Sequence, residues 1–257
     1  MTAEPPQLAI ITRNGAPTEL MLPPAESELM RGVRWGRHER FCTPAYWKFM
    51  CESHEPGLSA NGHFRLGRNL IEEVAVCLLG GYGMAADLGL AAFRRVRDQG
   101  LLKTASPEAH ILEILSQPLE IQNRSVRYRY PAQKSRYLSQ CLAILHSTSP
   151  PKPMSSDSLR SWLVKFPGIG PKTASWIVRN HLGADDVAIL DVHIIRAGRI
   201  MGLFDKSEDV SRNYSEMERK FVAFSSALGC STSLLDAIIW EQMRIIPLKV
   251  LGEHQAV

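Results

Sequence analysis

Lys172 and Asp191 are the residues of this 257-residue chain best placed for covalent chemistry. Lys172 follows Pro171, a residue suited to the first turn of a helix. A cation there meets the positive end of the helix dipole. That mismatch favours the neutral amine, the nucleophilic form of a lysine. Asp191 ends the apolar run Ala188-Ile189-Leu190 and precedes the helical pattern Val192-His193-Ile194-Ile195-Arg196, which is the place of an N-cap. A carboxylate fixed by capping near an amine takes its proton or stabilises a developing cation. Plainer readings stand beside these: Lys172 as a phosphate contact, Asp191 as a cap alone.

Just before Lys172, Pro167-Gly168-Ile169-Gly170 joins two helical segments. Glycines allow backbone angles closed to other residues and let the main chain approach a ligand. The uncapped N–H groups of a helix starting at Pro171 point at the same spot, which makes an anion site. Gly168, Ile169, Gly170 and Thr173 are therefore expected against a DNA backbone phosphate, with Ile169 tucked between the helices and His193 as a further contact. The alternative is a tight turn without a ligand. Such a hairpin holds phosphate without reading sequence, so by itself it implies affinity and not catalysis.

The motif Pro-Gly-x-Gly-x-Lys-x-Ala, followed 19 residues after its lysine by the aspartate of Asp191-Val192-His193, resembles the helix-hairpin-helix, Gly/Pro-rich loop, aspartate superfamily of DNA glycosylases. The match is clear over residues 160–200 and less distinct over 65–245. The resemblance implies that Lys172 attacks the sugar C1′ of an extruded nucleotide. The base then leaves, and the resulting Schiff base permits β-elimination. Asp191 would support the lysine and the positive charge developing on the sugar. Members that only remove bases lack this lysine.

Asp186 to His193 resembles the 8-oxoguanine branch of that family. So does Leu234-Leu235-Asp236-Ala237-Ile238-Ile239-Trp240, in which Asp236 and Trp240 share a helix face. The resemblance implies that Asp236 accepts N–H bonds from the base and Trp240 stacks on it; the bland reading is a helix-start aspartate and a core tryptophan. It further implies a bifunctional 8-oxoguanine glycosylase and abasic-site lyase, acting as a monomer on damaged double-stranded DNA. Glycosylases for other oxidised bases, and a non-catalytic hairpin DNA-binding protein, are the alternatives. The smallest members end in a lysine that helps recognise the base, whereas this chain ends Glu253 to Val257, so that contact is expected to be missing or supplied differently.

Two further stretches read as DNA surface. Arg124, Arg127, Arg129, Lys134 and Arg136 occur without an acid among them and are interleaved with Tyr128 and Tyr130, a pattern for strand binding and stacking. Tyr82, in Gly80-Gly81-Tyr82-Gly83-Met84, sits where the family contacts the opposite base. A solvated basic face and a plain helix–helix turn are the respective alternatives.

The elements that must carry these residues are mostly helical. Asn14-Gly15 between apolar runs signals a hairpin, with Pro17 marking an edge strand. Helices are expected over 45–51, 70–79, 85–98, 107–116, 132–146, 156–166, 171–182, 192–201, 211–228 and 233–244, with 117–130 irregular and 147–153 a Ser/Pro-rich linker. The expected fold is mainly α, with two helical lobes, the hairpin at their cleft and a short N-terminal β-ribbon. The expected organisation is a ribbon over 1–24 and a helical domain over 25–257, whose hairpin lobe covers about 65–204.

Composition fits this reading. Hydrophobic residues make up 45%, charged residues 22%, and the net charge is +4, compatible with a polyanionic partner. No apolar run reaches membrane-spanning length, and a cytoplasmic, nucleoid-associated protein is expected. Cys42, Cys51, Cys77, Cys141 and Cys230 form no C-x-x-C pair. No iron–sulfur cluster or other cofactor is therefore expected, although a monovalent or divalent cation at the hairpin is compatible with the motif.

Overall fold

In the computed structural model, which describes residues 4–54, 64–81 and 83–246, the chain divides into two compact units. One is Met1–His63 with Asp185–Val257, and the other is Phe64–Ala184. Lys172 falls in the second and Asp191 in the first. The turn at 167–170 and the residues on either side of it lie wholly in the second unit.

In the first unit, β1 (Gln7–Arg13) and β2 (Ala16–Leu22) pair antiparallel across Asn14-Gly15. Both turn residues have positive φ, 52° and 76°, as a two-residue hairpin turn requires. A second small hairpin, β3 (Glu28–Met30) with β4 (Val33–Arg34), extends the β-structure beyond the expected ribbon. Ala9 and Leu22 on the inner face of the first ribbon pack against Ala45 of α1 (Pro44–Ser53). That helix starts where Thr43 accepts the Tyr46 N–H ahead of Pro44. The core then gathers Trp47 of α1 with residues of the last three described helices, among them Ile194, Phe221, Phe224, Leu235 and Ile239. Full burial of each such Phe or Ile contributes about 1.5–3 kcal/mol.

The second unit is built around α2 (Leu70–Leu79), capped by Asn69 and buried from Glu72 to Leu79. It packs against α3 (Ala86–Asp98), α5 (Pro131–Ser147) and α7 (Pro171–Leu182). Glu73 is fully buried. Its carboxylate accepts the N–H groups of Leu66 and Gly67 and the side-chain N–H of Asn180 on α7, at 3.1, 2.7 and 2.8 Å. Burial pushes the Glu73 carboxyl above its ordinary value against the pull of those donors. After α4 (Glu108–Ser116) the stretch expected to be irregular forms a hairpin, β5 (Leu119–Ile121) with β6 (Arg124–Val126). Its turn is Gln122-Asn123, both at positive φ. The mainly α expectation holds: α6 (Ser156–Leu163), α8 (Val192–Ile200), α9 (Val210–Ala227) and α10 (Thr232–Ile245) complete the described helices. Among the described residues no single helix is long and apolar enough to cross a membrane.

Candidate active site

The hairpin is α6, a turn and α7. A capping box of Ser155 and Ser158 opens α6. The turn after it depends on Gly168, whose φ is +76°. A Cβ at that position would lie 2.4 Å from the Tyr137 ring, so both conformation and space demand glycine. Ile169 is buried, as its place between the helices required. Gly170 behaves differently from the sequence expectation. It caps α7 with φ −90° and ψ 179°, ordinary extended angles, and a Cβ there would meet nothing within 4 Å. Its role is an open approach, not an unusual angle. No side chain caps α7, so its first turn presents backbone N–H groups at an uncrowded corner, the geometry of an anion site.

Lys172 and Thr173, both half-buried, lie in that first turn. The charge of Lys172 is felt by Lys134 on α5. Burial first, and then the Lys172 charge, pull the Lys134 ammonium below the usual lysine range.

Asp191 is the N-cap of α8, as its place in the sequence predicted. Its Oδ1 accepts the His193 N–H at 2.8 Å and the Ile194 N–H at 3.0 Å. The carboxylate is thereby held in one orientation. It is delivered by the non-helical residues 187–190, of which Val187, Ala188 and Leu190 are buried. Upstream, Asp185 accepts the Ser231 hydroxyl at 2.7 Å and the Ser233 N–H at 2.8 Å at the start of α10.

Around α10 the structure adds a backbone bond to one assignment. Asp236 is 2% exposed, and its Oδ2 accepts the Ile189 N–H at 3.0 Å. It thus holds backbone from the start of α10, which packs against α8. Trp240 is half-buried. Its ring meets the His193 imidazole edge-on, with centroids 6.5 Å apart, and the Arg244 guanidinium lies over it at 5.0 Å. His193 Nδ1 is buried with no hydrogen-bond partner among the described residues.

The basic stretch splits in two. Arg124, Arg127, Arg129 and Arg136 are exposed, with Arg129 over the Tyr130 ring and Arg136 over the Tyr137 ring. Tyr128 and Lys134 do not belong to that surface. Tyr128 is 4% exposed and donates its hydroxyl to the Leu79 carbonyl at 2.5 Å. Lys134 Nζ donates to the carbonyls of Leu78 at 2.6 Å and Gly80 at 3.4 Å. Both satisfy the carbonyls that the end of α2 leaves open. Tyr82 and residues 253–257 lie outside the described residues.

Sequence reasoning missed Tyr214 and Glu218 of α9. Tyr214 Oη accepts the Leu190 N–H, and Glu218 Oε1 accepts the Ala188 N–H. A signal was present: 214, 217, 218, 221 and 224 form the buried stripe of α9, so Glu218 is an acid at a core-facing helical position.

The family model described as 8-oxoguanine DNA glycosylase matches residues 63–230. The 8-oxoguanine DNA glycosylase/AP lyase of Metallosphaera sedula is 30% identical over 120 residues. That match covers 46% of this chain and 59% of that protein, so this chain spans less than two thirds of its relative. Among solved structures, the Methanocaldococcus jannaschii 8-oxoguanine glycosylase/lyase in complex with a 15mer DNA containing 8-oxoguanine is similar. It has 25% identity and a TM-score of 0.50, covering 67% of this chain and 79% of that one. A trapped endonuclease III–DNA covalent intermediate is similar in fold, at 18% identity and TM-score 0.55, covering 79% and 83%.

Proposed function

The chain belongs to the 8-oxoguanine DNA glycosylase family, and from that premise we propose that it excises 8-oxoguanine from double-stranded DNA and nicks the strand through a Schiff base on Lys172. The observation that carries the reading is the place of Lys172. It stands in the uncapped first turn of α7, directly after a hairpin open to a phosphate at Gly170.

In the proposed reaction the neutral amine of Lys172 attacks C1′ of the extruded nucleotide. The glycosidic bond breaks, its electron pair leaves with the base, and the base takes up the proton that the amine nitrogen sheds. The sugar ring then opens to a protonated imine, O4′ keeping the C1′–O electron pair and gaining a proton from water. Transfer of a C2′ proton to water expels the 3′ phosphate with the C3′–O electron pair and breaks the strand. Asp191, held by two amides of α8, stabilises the positive charge that develops on the sugar. Trp240 stacks on the extruded base, and His193 and Thr173 contact the backbone. Every reacting group is a side chain, so the proposed chemistry calls for no cofactor.

Borohydride trapping tests this. The full chain incubated with an 8-oxoguanine duplex and borohydride should yield a covalent adduct that Lys172→Gln does not form. Asp191→Asn should bind the duplex as well as wild type while its turnover falls about 100-fold or more. An adduct formed equally by Lys172→Gln, or none on any lesion, would end the Schiff-base reading.

A further inference from the structure

We propose that Tyr214 and Glu218 of α9, with Asp236 of α10, are positioning residues that set the place of the Asp191 carboxylate. This rests on the reading of Asp191 given above.

The residues before α8 belong to no helix and have no strand beside them among the described residues. Yet successive amides are each held by a side chain. The Ala188 N–H donates to Glu218 Oε1 at 3.1 Å, the Ile189 N–H to Asp236 Oδ2 at 3.0 Å, and the Leu190 N–H to Tyr214 Oη at 3.3 Å. The Tyr214 hydroxyl in turn donates its one proton to the Ala188 carbonyl at 2.8 Å. The Asp191 N–H then closes a tight turn onto the Ile189 carbonyl at 2.7 Å. Four consecutive backbone positions are thus fixed, ending at the residue whose carboxylate matters.

Side-chain acceptors do something here that a neighbouring strand would not. A strand pairs by one repeating geometry. Here three different side chains each match one amide, with no repeat to shift along. Two of them are carboxylates that are 3% and 2% exposed, and burying a carboxylate is costly unless its bonds are made. Tyr214 and Glu218 lie one turn apart on α9, directly after the non-helical angles of Asn213, so one short stretch of α9 presents both. With α8 gripping Oδ1 from the other side, Asp191 is fixed from both directions.

The test uses the full chain, single-turnover excision on an 8-oxoguanine duplex, and duplex affinity measured separately. Tyr214→Phe removes one hydroxyl. Glu218→Gln keeps an acceptor oxygen, and Glu218→Met removes it. Tyr214→Phe and Glu218→Met should lose about 10- to 100-fold in rate with affinity within about twofold, and Glu218→Gln should recover most of the rate. In an Asp191→Asn background, Tyr214→Phe should cost nothing further, because residues that act through one another are not additive. Equal proportional losses in both backgrounds would overturn the proposal. Amide exchange at 188–191 should also rise in Tyr214→Phe, a readout independent of substrate; unchanged exchange would overturn the proposal as well. If wild type traps no adduct, the functional reading fails. If wild type traps and Tyr214→Phe matches its rate, only the positioning role fails.

Discussion

Gly168 and Gly170 look equivalent in the motif and are not. Gly168 has a left-handed φ, and a Cβ on it would collide with the Tyr137 ring. Gly170 has extended angles and open space. Gly168→Ala should therefore lower stability by more than about 1 kcal/mol, through strain and displacement of Tyr137. Gly170→Ala should change stability by less than about 0.5 kcal/mol yet weaken DNA binding, because the added methyl would stand at the proposed phosphate site. Thermal melts and duplex titrations on the two variants separate these roles. A Gly170→Ala chain with unchanged affinity would remove the anion site from that corner. The same contrast marks what residue types convey: the sequence announced a hairpin and its lysine, but only backbone angles assign each glycine its task.

At the scale of elements, caps were the most legible feature. Thr43, Asn69 and Asp191 stand at helix starts where their side-chain oxygens accept backbone N–H groups, and Asp191 is readable as a cap from its type and the pattern after it. The β5–β6 hairpin was not readable, because Gln122-Asn123 adopts positive φ without the glycine that usually signals such a turn. That miss had a consequence. Read as irregular chain, the segment looked like one basic and aromatic surface. Folded back by the hairpin, it sends Tyr128 inward to the end of α2, while the arginines stay outside. Tyr128→Phe leaves the buried Leu79 carbonyl without this donor, so stability should fall by about 1–3 kcal/mol. Affinity for duplex DNA should not change. Chemical denaturation checks the first outcome and a duplex titration the second; a variant with lost affinity and intact stability would return Tyr128 to the DNA surface. The acceptors on α9 were illegible for a related reason: Glu218 interrupts an apolar stripe, but its partner, the Ala188 amide, is 30 residues away in the chain.

At the scale of the molecule, net charge says little and its placement says more. A surplus of +4 over 257 residues is modest for a chain proposed to act on a polyanion. What concentrates it is the exposure of Arg124, Arg127, Arg129 and Arg136 on the second unit, near the hairpin in neither sequence nor element but within the same compact body. Arginines that meet phosphates displace condensed counterions, so each lost contact should flatten the plot of log affinity against log salt by about 0.9. Arg124 and Arg127 are the cleaner pair to remove, since Arg129 also bonds the Gly83 carbonyl. A chain carrying Arg124→Gln and Arg127→Gln should bind damaged and undamaged duplexes more weakly by the same factor, with a slope reduced by about 1–2. Its single-turnover rate at saturating protein should match wild type, because backbone contacts, the role proposed for these residues, touch no reacting atom. Trp240→Ala should do the reverse, lowering selectivity for the lesion duplex while the salt slope stays put. Measuring both variants across one salt series makes the division of labour visible. Parallel salt plots for the double arginine variant would mean that this basic face meets solvent and that the duplex is held elsewhere.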